Sequence, residues 1–386
     1  MEILLFGGSF DPPHRGHAEL LSAALRAVKP GRAYVLPAHR SPLKSAPRTP
    51  PGDRLAMTRA MLGAAGLAGS VKLDLSEMRR PRATFTYETV RLFRSRHPGA
   101  RIWFLAGSDS LASFEKWKRP GELRRLCRWV VGVRPGFPLR RGPSLPRALR
   151  LPGRFPAASS TDIRCGYLTG TEKKGALHPA VRRYIEKRGL YGLDVREELK
   201  KTLTADRYGH TLEVARLACR LARLHRLDFE AAAWAGLLHD AGRRFTAAQM
   251  ARYARRRGLR VPHREEIIRN APVLLHAFIS ADLAERRFGV RDGAIVSAVR
   301  NHTLGQAGMP VLDRLLYAAD AGAEDRSFPE AARIRGLARA SIDRAFLEAV
   351  RTKIDYVSST GQWLHPGAGK LESWAERLAA KPRRAP

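Results

Sequence analysis

The sequence predicts two domains of different class. Residues 1–192 read as an α/β domain with a Rossmann-like doubly wound parallel sheet, and residues 193–386 as an all-α domain. Three observations predict this. Short apolar runs alternate with helical patterns in the first half, as parallel strands joined by helical crossovers do. The strand-like runs stop near Gly192, where Ala, Leu and Arg at helical spacing take over. The length, 386 residues, also suits two domains of ordinary size.

In chain order, residues 3–6, 34–36, 71–75, 102–105 and 129–133 read as buried strands, with helical patterns between them such as 19–28 and 54–62. Residues 135–156, rich in Pro, Gly and Arg, read as a long surface loop, and a helix near 179–188 closes the first domain. In the second half, helical spacing runs through 211–225, 229–239 and 271–288. The polar, proline-bearing tail 381–386 reads as frayed. No internal repeat is visible.

Composition narrows the class. A hydrophobic fraction of 44% excludes a disordered chain. Cys127, Cys165 and Cys219 are scattered and odd in number, which argues against a disulfide framework and for a reducing, cytoplasmic setting. No apolar run approaches the roughly 20 residues of a membrane span. The start, MEILLFGGSF, has an acidic second residue and does not read as a signal peptide. The net charge of +34 points to a polyanionic partner, either phosphate-rich nucleotides or nucleic acid, or else to an Arg bias spread over solvated faces. No Lys/Arg block interleaved with aromatics and no nucleic-acid motif is present, so nucleotides are the expected partners.

The first strand runs into Gly7-Gly8-Ser9-Phe10-Asp11-Pro12-Pro13-His14-Arg15-Gly16-His17. Glycines after a strand let backbone N–H groups approach phosphates, and the helix that follows offers its positive N-terminus to the same anion. His14 and His17, three apart at a helix start, share one face and can donate to phosphate oxygens as charge builds. Near the end of the half, Ser159, Ser160 and Thr161 have N-cap character and place N–H groups and hydroxyls at another helix start, with Arg164 one turn on.

This string resembles the HxGH nucleotidyltransferases, and later segments narrow the resemblance to the bacterial nicotinate mononucleotide adenylyltransferases, over roughly residues 1–191. Leu36-Pro37-Ala38 through Pro42-Leu43-Lys44 is similar to that family's strand-end segment, whose lysine contacts phosphate. Thr84 and Thr86-Tyr87-Glu88-Thr89 are similar to its nicotinate-side segment. Gly107-Ser108-Asp109 with Trp117 resembles its Gly-x-Asp and stacking tryptophan, Arg134-Pro135-Gly136 its basic turn, and Ser159 to Arg164 its Ser-Ser-Thr-x-Ile-Arg ending. The segment His39-Arg40-Ser41 departs from the pattern. The resemblance implies direct adenylylation of nicotinate mononucleotide by ATP, with magnesium entering on the ATP. It implies catalytic roles for His14, His17, Lys44 and Arg164. It implies nucleotide contacts from Gly7, Gly8, Ser9, Phe10, Thr84, Tyr87, Gly107, Asp109, Trp117, Arg134, Ser159, Ser160 and Thr161.

The second half contains Arg207-Tyr208-Gly209-His210, His239-Asp240, His276, His302-Thr303 and Asp320, all in or at the ends of helical patterns. An adjacent His-Asp pair behind the apolar run 235–238 points both side chains from a buried helix end into one cavity. Imidazole with carboxylate suits iron, manganese or zinc. The spacing resembles the HD-domain metal phosphohydrolases, and in context most resembles the bacterial symmetrical diadenosine tetraphosphate hydrolases, over roughly 199–350. The resemblance implies His210, His239, Asp240 and Asp320 as ligands, with His276 and His302 for a second metal, iron or manganese, and Asp240 between the two. Arg207, Arg243 and Arg244 offer forked contacts to a dinucleoside polyphosphate. Arg243 stands where that family carries lysine. His225 and His263 read as surface residues.

The expectation is therefore a bifunctional enzyme, with no membrane partner and an oligomer possible in principle. The alternatives are an adenylyltransferase for pantetheine phosphate or nicotinamide mononucleotide, an HD half that senses nucleotides without turning them over, and an RNA-binding protein driven by net charge.

Overall fold

The computed structural model describes residues 1–40, 42, 49–139 and 145–380. The chain divides into two compact units: residues 1–164 with 173–190, and residues 165–172 with 191–386.

The first unit alternates strand and helix as β1 (Glu2–Gly8), α1 (Arg15–Val28), β2 (Arg32–Pro37), α2 (Pro51–Ala64), β3 (Lys72–Leu73), α3 (Thr86–Arg96), β4 (Arg101–Gly107), α4 (Ser108–Leu111), α5 (Pro120–Leu126), β5 (Arg128–Gly132) and β6 (Ala148–Arg150). Among the described residues the sheet has six strands in the order β3-β2-β1-β4-β5-β6, all paired in parallel. Such a sheet is covered on both faces, which is why β1 reads as an unbroken apolar run: Ile3, Leu4 and Leu5 are wholly buried. One core packs Ile3, Leu5, Phe93, Phe104 and Trp129 beneath α3. The chain then enters α6 (Ser160–Thr169), which starts in the first unit and ends in the second, and α7 (Pro179–Arg188), where Tyr184 donates to Asp53 of α2 at 2.8 Å.

The sixth strand corrects the expected loop over 135–156. Ala148-Leu149-Arg150 forms three register pairs with Trp129, Val130 and Val131 of β5. As an edge strand of three residues with Leu149 exposed, it lacks the buried apolar run by which its neighbours announce themselves. The third strand is also shorter than residues 71–75.

The second unit is helical: α8 (Leu193–Thr202), α9 (Ala205–Leu224), α10 (Phe229–Leu238), α11 (Ala247–Arg256), α12 (Arg264–Asn270), α13 (His276–Arg286), α14 (Gly293–Asn301), α15 (Val311–Ala321), α16 (Pro329–Ala340), α17 (Ile342–Ser359) and α18 (Ala368–Ala379). Caps fix several starts. Thr204 accepts the Arg207 N–H, and Asp228 accepts those of Glu230 and Ala231 at 3.0 and 2.9 Å. Residues 271–288 do not form one helix. Pro272 opens a short 3₁₀ turn over Pro272–Leu275, and the α-helix begins at His276. Nor is His225 a free surface residue, since its Nε2 lies 2.7 Å from the Ala338 carbonyl. No helix among the described residues is long and apolar enough to cross a membrane, and the three cysteines form no disulfide among the described residues. The tail 381–386 lies outside the described residues.

Candidate active sites

In a doubly wound sheet, ligands bind beyond the carboxyl ends of the strands where the strand order reverses direction. Here that point lies between β1 and β4. Gly7 and Gly8 end β1, Gly107 ends β4, and Arg134 follows β5 on the same edge. At Gly107 a Cβ would stand 2.4 Å from the Asp109 carboxylate, so a larger residue there would have to displace that side chain. Asp109 pairs with the Arg134 guanidinium, which also donates to the Ala158 carbonyl, and Ser108 Oγ accepts the Arg134 backbone N–H at 3.0 Å. The Asp109–Arg134 pair thus ties the ends of β4 and β5 together.

His14 is the N-cap of α1 and His17 stands in its first turn, with ring centroids 3.7 Å apart. The His14 backbone N–H donates to His17 Nδ1 at 3.2 Å. That bond puts the ring proton of neutral His17 on Nε2, where it can be donated. Phe10 lies buried beneath, its ring 5.1 Å from that of His17, with left-handed backbone at φ 48°. Phe10 therefore contributes a floor to the loop, and Ser9 its carbonyl. From the far end of the unit, Ser160 Oγ donates to the Pro12 carbonyl at 2.9 Å and Arg164 to the Asp11 carbonyl at 2.6 Å, while Arg164 also reaches Thr161 Oγ1 at 3.3 Å. Ser159 Oγ accepts the Asp162 N–H, as an N-cap does. The fold thus joins two segments about 150 residues apart in sequence around two helix N-termini.

The nicotinate-side residues are placed differently. Tyr87 lies on the buried face of α3, its hydroxyl accepting from Arg91 and Arg119 at 2.6 Å each. Trp117 packs against Phe104, Phe114 and Trp129, so part of its indole belongs to the core. The buried Trp117 Nε1 and Thr84 Oγ1 have no hydrogen-bond partner among the described residues. Lys44 lies outside the described residues.

Sequence reasoning missed Arg54. Its guanidinium, 1% exposed, donates to the carbonyls of Ala38 at 2.6 Å, Ser9 at 2.8 Å, His39 at 3.0 Å and Thr49 at 3.4 Å. One side chain so fixes the loop after β1 to the loop after β2. An arginine in the first turns of a helix gives no sequence signal for this. Arg54→Met leaves several buried carbonyls unpaired, and is expected to destabilise the first unit by about 3 kcal/mol. A urea transition of that unit at an unchanged midpoint would refute the clamp.

In the second unit the six candidate ligands come together. His210 comes from α9, His239 and Asp240 from the end of α10, His276 from the start of α13, His302 from the end of α14 and Asp320 from α15, all buried. Gly236 makes this possible, because a Cβ there would stand 2.5 Å from Ala215 Cα where α10 crosses α9. His210 Nε2 faces Asp320 Oδ1 at 3.0 Å. Around Asp240 lie His276 Nε2 at 3.3 Å, His239 Nε2 at 3.6 Å and His302 Nε2 at 3.9 Å. His210, His239 and Asp320 form one possible metal-holding group, and His239, Asp240 and His302 another.

The tautomers fit a metal. Nδ1–H of His239, His276 and His302 donates to the carbonyl three residues back, Gly236, Val273 and Val299, at 2.7, 2.6 and 2.7 Å. Each Nε2 lone pair is left facing the centre. His276 Nε2 and His302 Nε2 approach to 3.1 Å, about the separation of two ligands on one ion. Thr303 Oγ1 lies 3.1 and 3.0 Å from them and can donate to only one. The buried His239 Nε2 has no hydrogen-bond partner among the described residues. Burial pushes these three imidazoles down, His276 to about 4, and keeps them neutral. Burial alone would raise the Asp240 and Asp320 carboxyls. The facing imidazoles and cations hold both well below the usual carboxylate range.

Three residues here, Asp325, Arg326 and Lys353, escaped sequence reasoning, and Thr303 was named there without a role. Asp325 accepts from His210 Nδ1 at 2.9 Å and orients that ring. Arg326 donates to Asp320 Oδ1 at 2.8 Å, Thr303 stands between His276 and His302, and Lys353 of α17 has its Nζ 3.7 Å from Asp320 Oδ2. Burial pushes the Lys353 ammonium down to about 8, against the pull of Asp320. Of the arginines named from sequence, Arg207 donates to Asp240 Oδ2 at 2.9 Å and Arg243 lies 3.5 Å from Asp240 Oδ1. Arg244 does not join them, being paired with Glu198 at 2.8 Å.

Comparison with known proteins finds a family for each half of the chain. Residues 5–166 match the cytidylyltransferase-like family and residues 207–325 the HD domain family, which implies divalent-metal binding. The chain is 30% identical over 319 residues to the "probable nicotinate-nucleotide adenylyltransferase/Ap4A hydrolase" of Mycoplasma pneumoniae, covering 82% of this chain and 87% of that protein. A protein of the same name from Mycoplasma genitalium is 29% identical over 321 residues, or 83% and 86% of the two chains. The "probable nicotinate-nucleotide adenylyltransferase" of Gemmatimonas aurantiaca is 36% identical over 199 residues, covering 50% of this chain and 92% of that protein.

Proposed function

Since the chain belongs to the nicotinate-nucleotide adenylyltransferase/Ap4A hydrolase family, we propose that it is one cytoplasmic enzyme with two reactions on nucleotides. The first unit transfers AMP from ATP to nicotinate mononucleotide, giving deamido-NAD and pyrophosphate. The second hydrolyses diadenosine tetraphosphate to two ADP.

The observation carrying the first reaction is the His14–His17 pair at the α1 N-terminus, with Ser160 and Arg164 bound to the same loop. The acceptor's phosphate oxygen forms a bond to the α-phosphorus of ATP, and the bond to pyrophosphate breaks, its electrons leaving on the pyrophosphate oxygen. The chain's work is to position both phosphates and to neutralise charge. Nε2–H of His17 and the N–H groups at the helix start donate to the reacting oxygens. Arg164 and Lys44 add cations, Thr161 and Ser159 cap the second helix, and Gly7, Gly8 and Gly107 let backbone and nucleotide approach. Thr84, Tyr87 and Trp117 form the nicotinate side, and Asp109 with Arg134 the adenosine side. Magnesium arrives on the ATP.

The observation carrying the second reaction is the convergence of four imidazoles on two ionised carboxylates. His210, His239, Asp240 and Asp320 would hold one divalent ion, iron or manganese, and His276 and His302, with Asp240, would hold a second. Such ions, when bound, supply Lewis-acid polarisation of the phosphate. The chain itself holds the carboxylates ionised, fixes the imidazole tautomers and sets Arg207 and Arg243 toward the polyphosphate.

One panel on the full chain tests both halves. It should adenylylate nicotinate mononucleotide with a higher kcat/KM than nicotinamide mononucleotide or pantetheine phosphate. With iron or manganese it should release only ADP from diadenosine tetraphosphate. Equal rates across acceptors would overturn the first assignment. ATP plus AMP would overturn the cleavage position, and no turnover would favour a nucleotide-sensing HD half.

A further inference from the structure

Lys353 belongs to neither set of ligands, and α17 carries none of them. Its Nζ is nevertheless at the centre. It donates to the His302 carbonyl at 3.2 Å, sits 3.8 Å from the centroid of the Tyr317 ring and stands 3.7 Å from Asp320 Oδ2. The last distance is too long for a hydrogen bond. An ammonium has three N–H donors, and one is used among the described residues. The lysine is not needed to hold Asp320, because Arg326 already donates to that carboxylate at 2.8 Å and His210 faces it at 3.0 Å. Its side chain is about one-third exposed (32%), whereas those of the ligands it neighbours are almost closed to solvent.

Charge and placement indicate what the spare donors meet. The centre gathers three carboxylates, Asp240, Asp320 and Asp325, against four cations, Arg207, Arg243, Arg326 and Lys353. It is therefore positive before any metal enters, and divalent ions make it more so. The balancing charge has to come with a polyanionic substrate. Two of the cations are bound to carboxylates at hydrogen-bond range, Arg207 to Asp240 and Arg326 to Asp320. The other two stand further off, one at each carboxylate: Arg243 at 3.5 Å from Asp240 and Lys353 at 3.7 Å from Asp320. A phosphate chain cleaved near its middle needs a grip on both sides of the broken bond. Arg243, beside Asp240, is placed for one of these grips.

We propose that Lys353 provides the other, its ammonium donating to a non-bridging phosphate oxygen of the substrate on the Asp320 side. This rests on the hydrolase reading of the HD centre.

The test uses the full chain loaded with metal, as wild type, Lys353→Met and Lys353→Arg. Methionine keeps the apolar stem over Tyr317 and removes the charge. Four quantities are read: KM for diadenosine tetraphosphate, the inhibition constant of ADP, metal content and the thermal midpoint. In Lys353→Met, KM and the ADP constant should rise about tenfold or more. Metal content and midpoint should hold, and Lys353→Arg should recover most of the loss. Unchanged KM and ADP inhibition in an active enzyme would overturn the contact. So would loss of metal from Lys353→Met, which would show that the lysine acts on Asp320 rather than on substrate. If the methionine variant unfolds, Lys353→Gln is read in the same way. A wild-type chain that neither hydrolyses the tetraphosphate nor binds ADP would sink the hydrolase reading itself, and this contact with it.

Discussion

Replacing His17 by alanine is expected to lower kcat for adenylyl transfer by about 10²-fold or more, while thermal unfolding stays where it was. The loss follows from what the ring does. With Nδ1 accepting the His14 N–H, the proton of His17 sits on Nε2, and alanine removes that donor from the charge that builds on the phosphates. The fold should be indifferent, because His17 lies on the first turn of α1 at a loop-to-helix junction and is only partly buried. A His17→Asn variant, which keeps a short N–H donor, should recover part of the rate. An alanine variant with unchanged midpoint and unchanged kcat would end the assignment of His17 to the reacting phosphates.

The second large effect is expected at Asp240. Its carboxylate lies within 4 Å of the Nε2 atoms of His239, His276 and His302, a position no other residue named at this centre shares. Asp240→Ala removes a ligand outright. The loss of tetraphosphate hydrolysis should exceed the roughly 10- to 100-fold that follows when a partner outside the coordination shell is removed. Elemental analysis should find about two transition-metal ions per wild-type chain and a clear deficit in the variant. A full complement of metal in Asp240→Ala would exclude the carboxylate as a ligand, whatever the activity did.

Much of both sites was legible because the chemistry is local in sequence. Gly7 to His17 is one uninterrupted strand–loop–helix, and its residue types state the strand end, the turn and the helix start together. His239-Asp240 follows an apolar run that can only be buried, so its direction into a cavity was readable. The distant ligands His210, His276, His302 and Asp320 came from a resemblance, and the fold then brought them within hydrogen-bond range. What stayed hidden was tertiary. Arg54 looks like any helical arginine until α2 packs against the two loops whose carbonyls it binds. Lys353 lies 33 residues beyond Asp320 on another helix, and nothing in the pattern around it marks one lysine among many basic residues. The strand at 148–150 was missed because an edge strand needs only one partner and little burial, which leaves its sequence free to look like a loop.

The Nδ1 bonds of His239, His276 and His302 carry a consequence for how metal and acid compete. Each ring is committed to the carbonyl three residues before it through one nitrogen, and burial disfavours a second proton on the other. Metal uptake by a protonated histidine must expel a proton, which makes affinity fall steeply in mild acid. These rings carry nothing for a cation to displace at neutrality. While the rings stay neutral, their occupancy by metal is then only weakly coupled to proton concentration. The turns and helices that carry these histidines thus lessen the competition that protons offer the metal at these three ligands.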